Sequence, residues 1–110
     1  MSERILKINK LIKQQIGQII SREIEFPNNS LVTITRVETT SDMKTAKVFI
    51  SVIPENFRGS SLELLRKNTK LLSQQLKKQV AIKFVPNLNF LIDDQEAYAV
   101  EIDKLLDEIS

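Results

Sequence analysis

Thr45-Ala46-Lys47-Val48-Phe49-Ile50-Ser51-Val52-Ile53 is the stretch that decides the fold. Ala46, Val48, Ile50 and Val52 fall on one face of an extended chain, and Lys47, Phe49 and Ser51 on the other, because successive side chains of a strand point to opposite sides. A strand with one apolar and one mixed face belongs to a sheet covered on a single side. Upstream, Leu31–Val37 is rich in β-branched residues and reads as a second strand. Ser41-Asp42-Met43-Lys44 is a short polar connection, so the two strands most simply pair as an antiparallel hairpin.

Outward from the hairpin the periodicity becomes helical. Ile5, Ile8, Ile12, Ile16 and Ile19 share one narrow stripe, with Leu11 beside it, which predicts an amphipathic helix over residues 5–20. Ser2 is placed to cap its start. Phe26-Pro27-Asn28-Asn29-Ser30 stops that helix and turns the chain. After Pro54, residues 56–59 read as loop, and Ser60 with Glu63 as a capping box. A helical stripe then runs through Leu62, Leu65, Thr69, Leu72, Leu76 and Val80. Leu88, Phe90 and Ile92 alternate with Asn89 and Leu91, a third strand reached through Pro86. Asp93 or Asp94 is expected to cap a last helix with apolar positions Val100, Ile102, Leu105, Leu106 and Ile109. The order is helix, strand, strand, one or two helices, strand, helix. It predicts an α+β class, a single domain over residues 1–110 with a three-stranded sheet covered by helices on one face.

Composition removes most chemistry. The 110 residues include no cysteine and no histidine, which excludes thiolate nucleophiles, His-based relays and Cys/His zinc sites. The N-terminal residues are charged at Glu3, Arg4, Lys7 and Lys10, unlike a secretory leader, and no stretch has the ~20 apolar residues of a membrane span. A cytoplasmic protein is expected. The net charge of +2 conceals a partition: residues 1–92 carry 15 Lys and Arg against 7 Asp and Glu, whereas residues 93–110 carry Lys104 against 7 acids. A basic body suggests a polyanionic partner. Pairing of the acidic end with a neighbour's basic face leaves a protein–protein adaptor or homodimer open as the alternative.

Between Glu63 and Asp93 there is no acidic residue, while Arg66, Lys67, Lys70, Lys77, Lys78 and Lys83 are basic. Projected on one continuous helix, the first five span a sector of about 120° away from the leucine stripe. A merely solvated helix face usually alternates in sign, and this one does not. Phosphate contact is the stronger reading, with Arg66, Lys67, Lys70, Lys77 and Lys78 as principal candidates. Arg4, Lys7, Lys10, Lys44, Lys47 and Arg58 are secondary ones. A basic amphipathic first helix could instead lie on a membrane, but its stripe lacks Trp and Phe and is needed for the core. Phe26, Phe49, Phe57, Phe84, Phe90 and Tyr98 are the aromatic supply; Phe49 is assigned to core packing, so base-specific reading is not expected. Asp93-Asp94 as a Mg²⁺ pair for a small nuclease is weaker than N-capping. No metal, cofactor, small-molecule substrate or enzymatic activity is expected.

The element order resembles KH-like RNA-binding domains of the second topology, and two motifs narrow the likeness. Val37-Glu38-Thr39-Thr40-Ser41-Asp42-Met43-Lys44-Thr45-Ala46-Lys47-Val48-Phe49-Ile50-Ser51 resembles the hairpin of the ribosome-binding factor A family, although Ser41 and Asp42 are adjacent here. Lys83-Phe84-Val85-Pro86-Asn87-Leu88-Asn89-Phe90-Leu91-Ile92-Asp93 is similar to that family's basic-x-Val-Pro-x-Leu-x-Phe-x-x-Asp motif. The likeness runs from Arg4 to Ile109. It implies a monomeric, non-enzymatic factor that binds the free small (30S) ribosomal subunit and 16S rRNA late in assembly. It also implies support for maturation of the 16S 5′ end and for growth in the cold. The family replaces the Gly-x-x-Gly clamp of KH domains with a helix kink, typically Ala-x-Gly. Here Asn68-Thr69-Lys70 stands at that position without alanine or glycine. Asn68 could preserve the kink through its side chain, or the helix could run straight. Ser73, often arginine in relatives, and Phe26-Pro27-Asn28, in place of Asp-Pro-Arg, are further departures.

Overall fold

The isoleucine stripe forms α1, Glu3–Glu23, in which Ile5, Ile12, Ile16, Ile19 and Ile20 are buried and Ile8 is half-buried. The computed structural model describes residues 3–80 and 83–94. Ser2 as a cap, Tyr98 and the expected last helix lie outside the described residues. A single helical turn at Pro27–Asn29 reverses the chain into β1, Leu31–Thr39. Strand β2, Thr45–Ile53, returns antiparallel to it. The turn between them places Met43 at φ 62. The Asp42 carboxylate holds that turn by accepting from the Thr40 hydroxyl at 2.6 Å and the Lys44 backbone N–H at 3.0 Å.

Strand β3, Asn87–Ile92, pairs in parallel with β2, so the sheet order is β1-β2-β3 with the deciding strand at its centre. A parallel neighbour requires a crossover, and two helices supply it: α2, Arg58–Lys67, and α3, Thr69–Gln79. Ile34 and Val37 of β1, Ala46, Val48, Ile50 and Val52 of β2, and Leu88 and Phe90 of β3 form one buried core with α1, Leu65 of α2 and Leu72 and Leu76 of α3. All three helices therefore cover the same face. Asn9 fastens α1 to the sheet, its side-chain oxygen accepting from the Thr39 N–H at 3.0 Å and the Thr39 hydroxyl at 2.6 Å.

Three expectations need correction. Phe49 is not in the core: its register partners are Arg36 and Leu91, on the uncovered side of the sheet. The Arg36 guanidinium lies 3.8 Å above its ring, and Asp93 holds Arg36 in turn as an ion pair at 3.5 Å, without a hydrogen bond from that nitrogen. A bulge between Ile34 and Arg36 turns the Thr35 hydroxyl to the same carboxylate. Ser60 and Glu63 do not form a capping box, because α2 begins earlier, at Arg58, with Phe57 at its cap and no side-chain cap bond. Residues 55–57 are a helical turn rather than loop, and the Ser60 hydroxyl donates back to the Phe57 carbonyl at 3.3 Å. Starting earlier leaves Ser61 fully buried and Leu62 only partly so.

Candidate nucleic-acid interface

The basic surface is carried by two helices, not by one continuous helix. At Asn68 the backbone adopts φ −102 and ψ 12, a bridge conformation at negative φ that needs no glycine. At the interruption the Asn68 N–H is shared among the carbonyls of Leu64, Leu65 and Arg66, and local side chains supplement it. Asn68 Nδ2 donates to the Leu64 carbonyl at 2.8 Å, and Thr69 Oγ1 donates to the carbonyls of Leu65 and Arg66 at 3.1 and 3.0 Å. The Asn68 carbonyl then accepts from the Leu72 N–H at 3.0 Å, starting α3. Of the two alternatives left open by Asn68-Thr69-Lys70, the structure has the break.

The five principal basic residues divide across this break. Lys67 ends α2; Lys70, Lys77 and Lys78 lie on α3, and all four are exposed. Helix α3 contains these three lysines and no acid, with Leu72 and Leu76 fully buried on its other side. Among the described residues, none of the four lysines takes part in an ion pair. Arg66 differs: its Nη2 donates to the Phe90 carbonyl at 3.1 Å, which ties α2 to β3.

The secondary candidates do not form one patch. Arg4, Lys7 and Lys44 meet at a groove of about 860 Å³ together with Lys83 and Phe84. Lys7 also approaches Glu3 at 3.8 Å, a pair fully open to solvent that contributes little. Lys10 lines a different groove, between α1 and β1, with Lys13. Lys47 is on the uncovered side of the sheet opposite Glu38. Arg58 pairs with Asp94 at 3.5 Å. The charge pattern did not single out Phe84, which is 75% exposed, or give Lys83 a place with α1. Alternation extrapolated backward from Leu88 and Phe90 would turn Phe84 inward. The strand begins only at Asn87, after Pro86, so that alternation does not reach it.

Asp42 has a displaced ionisation. The Thr40 hydroxyl first, and then the Lys44 backbone N–H, hold its carboxyl below the usual carboxylate range. Among the described residues, no group of three or more acidic, His or Cys side chains could hold a metal ion. No helix among them is long and apolar enough to cross a membrane.

Comparison with known proteins agrees with this arrangement. The profile of the family described as ribosome-binding factor A matches residues 4–106. Ribosome-binding factor A of Akkermansia muciniphila is 34% identical over 109 residues, covering 99% of this chain and 86% of the relative. The crystal structure of ribosome-binding factor A from Thermus thermophilus superposes with a TM-score of 0.71 at 21% identity, covering 80% of this chain and 93% of that one. A homology model of the Thermus thermophilus factor, fitted into a cryo-electron microscopy map of its complex with the 30S subunit, superposes at 0.69 with 22% identity, covering 77% and 90%.

Proposed function

Given that this chain belongs to the ribosome-binding factor A family, we propose that it binds the free small ribosomal subunit through 16S rRNA, late in assembly. The family is one of binding factors rather than enzymes. The observation that carries the proposal is α3: Lys70, Lys77 and Lys78 project from a helix without acids, with Lys67 just across the break, and no described carboxylate neutralises them. Such a face releases counterions when it lies against phosphates. Arg66 sets the orientation of α2 on β3 and makes a weaker phosphate ligand than the four lysines. Gly17 and Gly59 are the only glycines, and neither lies between α2 and α3, so a Gly-x-x-Gly backbone clamp is not available. Recognition then follows the phosphate geometry of folded RNA rather than base edges.

The finer role extends from the family resemblance: a monomeric single-domain cytoplasmic factor that supports maturation of the 16S 5′ end and growth in the cold. The fitted 30S complex of the Thermus thermophilus factor supports the choice of subunit. Gradient sedimentation with purified ribosomal particles tests the proposal. The chain should travel with free 30S subunits and not with whole ribosomes. Lys70→Glu combined with Lys77→Glu should abolish that association with the thermal midpoint unchanged, since both side chains are exposed. Migration at the top of the gradient in the presence of 30S subunits refutes it. A double variant that unfolds makes the face structural.

A further inference from the structure

The groove of about 860 Å³ at the edge of the fold is built by three separated segments. Arg4 and Lys7 come from the first turns of α1, Lys44 from the β1–β2 turn, and Lys83 from the segment before β3. Phe84 forms part of its wall, and at 75% exposure it is the most open large apolar side chain among the described residues. The Lys83 ammonium lies 5.9 Å from the centre of its ring. The one acid of the lining, Asp42, is engaged by the Thr40 hydroxyl and the Lys44 N–H in holding the turn.

An exposed aromatic side chain in a groove lined by four cations fits a ligand that brings a flat π surface and negative charge together. Nucleotides do both. Bases inside a duplex already have both faces stacked, so the ring can take only one that is unpaired. We propose that this groove receives an unpaired RNA nucleotide, its base against Phe84 and its flanking phosphates among Arg4, Lys44 and Lys83. The assignment rests on the reading that the chain docks on RNA, and it adds a point where a base is held to a face that follows phosphates. Stacking of this kind is tolerant of base identity, which agrees with the absence of base-edge readers. The competing occupant is the acidic segment 95–110 of the chain itself, with its 5 acidic side chains.

The test uses the full chain and a short single-stranded oligoribonucleotide carrying the fluorescent base 2-aminopurine. Wild type should bind it and quench the fluorescence, whereas the same strand annealed to its complement should not be quenched. Phe84→Leu, apolar but without a π face, should remove the quenching and weaken binding by about fivefold or more. Arg4→Ala with Lys44→Ala should weaken binding as well. All of these side chains are exposed, so thermal midpoints should stay at the wild-type value. No quenching by wild type, as expected if the acidic segment fills the groove, or quenching that survives Phe84→Leu, overturns the proposal. Sedimentation with free 30S subunits, run in parallel, separates the two levels. Wild type that joins subunits without quenching refutes the nucleotide site alone. Wild type that quenches but ignores subunits refutes the 30S reading and keeps the site.

Discussion

Asn68 and Thr69 are assigned the task of holding the break between α2 and α3, and replacing both by alanine tests this by the sign of the effect. Asn68→Ala removes the donor 2.8 Å from the Leu64 carbonyl, and Thr69→Ala removes the hydroxyl shared by the Leu65 and Arg66 carbonyls. At about 0.5–1.5 kcal/mol net for each bond, two lost donors amount to roughly 1–3 kcal/mol. Alanine offsets up to about 0.7 kcal/mol where it replaces a poorer helix former inside a helix. That offset applies to Thr69, which is helical, and not to Asn68, which is not. The balance is a loss of roughly 0.3–3 kcal/mol. Thermal unfolding followed by far-ultraviolet circular dichroism should show a midpoint lowered by about 4–8 °C for each kcal/mol lost. A higher midpoint with more helical signal would mean that one continuous helix is the preferred state and that these side chains do not hold the break.

Other outcomes follow from the same contacts. Leu72→Ala, at a site with no solvent exposure, should destabilise by about 2–5 kcal/mol in urea titrations; a change inside experimental error would remove α3 from the core. Asn9→Ala leaves two Thr39 donors without their acceptor and should cost about 1–3 kcal/mol, with faster hydrogen exchange of the Thr39 amide as the local readout. Asp42 has a folded pKa below its ordinary 3.8, so its contribution is complete above that value and fades as the pH falls through the lowered one. The difference in midpoint between wild type and Asp42→Ala should shrink on acidification across that window, and a gap independent of pH would contradict the sign.

The sheet was legible because its signals are local and redundant. Alternation from Ala46 to Val52 gave the covered face, the β-branched run gave β1, and the isoleucines of α1 followed a single period. What escaped the sequence depended on tertiary partners. Phe49 sits at a polar-face position, and it is the Arg36 guanidinium over its ring, held by Glu38 and Asp93, that makes this a sheltered place for an aromatic side chain. The capping box at Ser60 matched its pattern, yet the cap falls three residues earlier, at Phe57, because a helical turn precedes α2. A period-based projection carries Leu65 smoothly into Leu72, since both are buried on either side of the break; the interruption at Asn68 leaves little trace in that stripe. Charge counting found Lys70, Lys77 and Lys78 but could not tell that Arg66 reaches a carbonyl of β3. Nor could it show that Arg4, Lys44 and Lys83, far apart in sequence, open onto one groove with Phe84.

The central claim is that Lys67, Lys70, Lys77 and Lys78, with neighbouring cations, lie against ribosomal phosphates. The direct measurement is the dissociation constant for purified free 30S subunits across a series of salt concentrations. About five phosphate contacts should weaken binding by about two to three orders of magnitude between ~50 and ~200 mM salt. Replacing Lys70 and Lys77 by neutral residues should lower the slope by about two contacts. An affinity that stays flat over that range, or a slope that the two replacements leave unchanged, contradicts the claim.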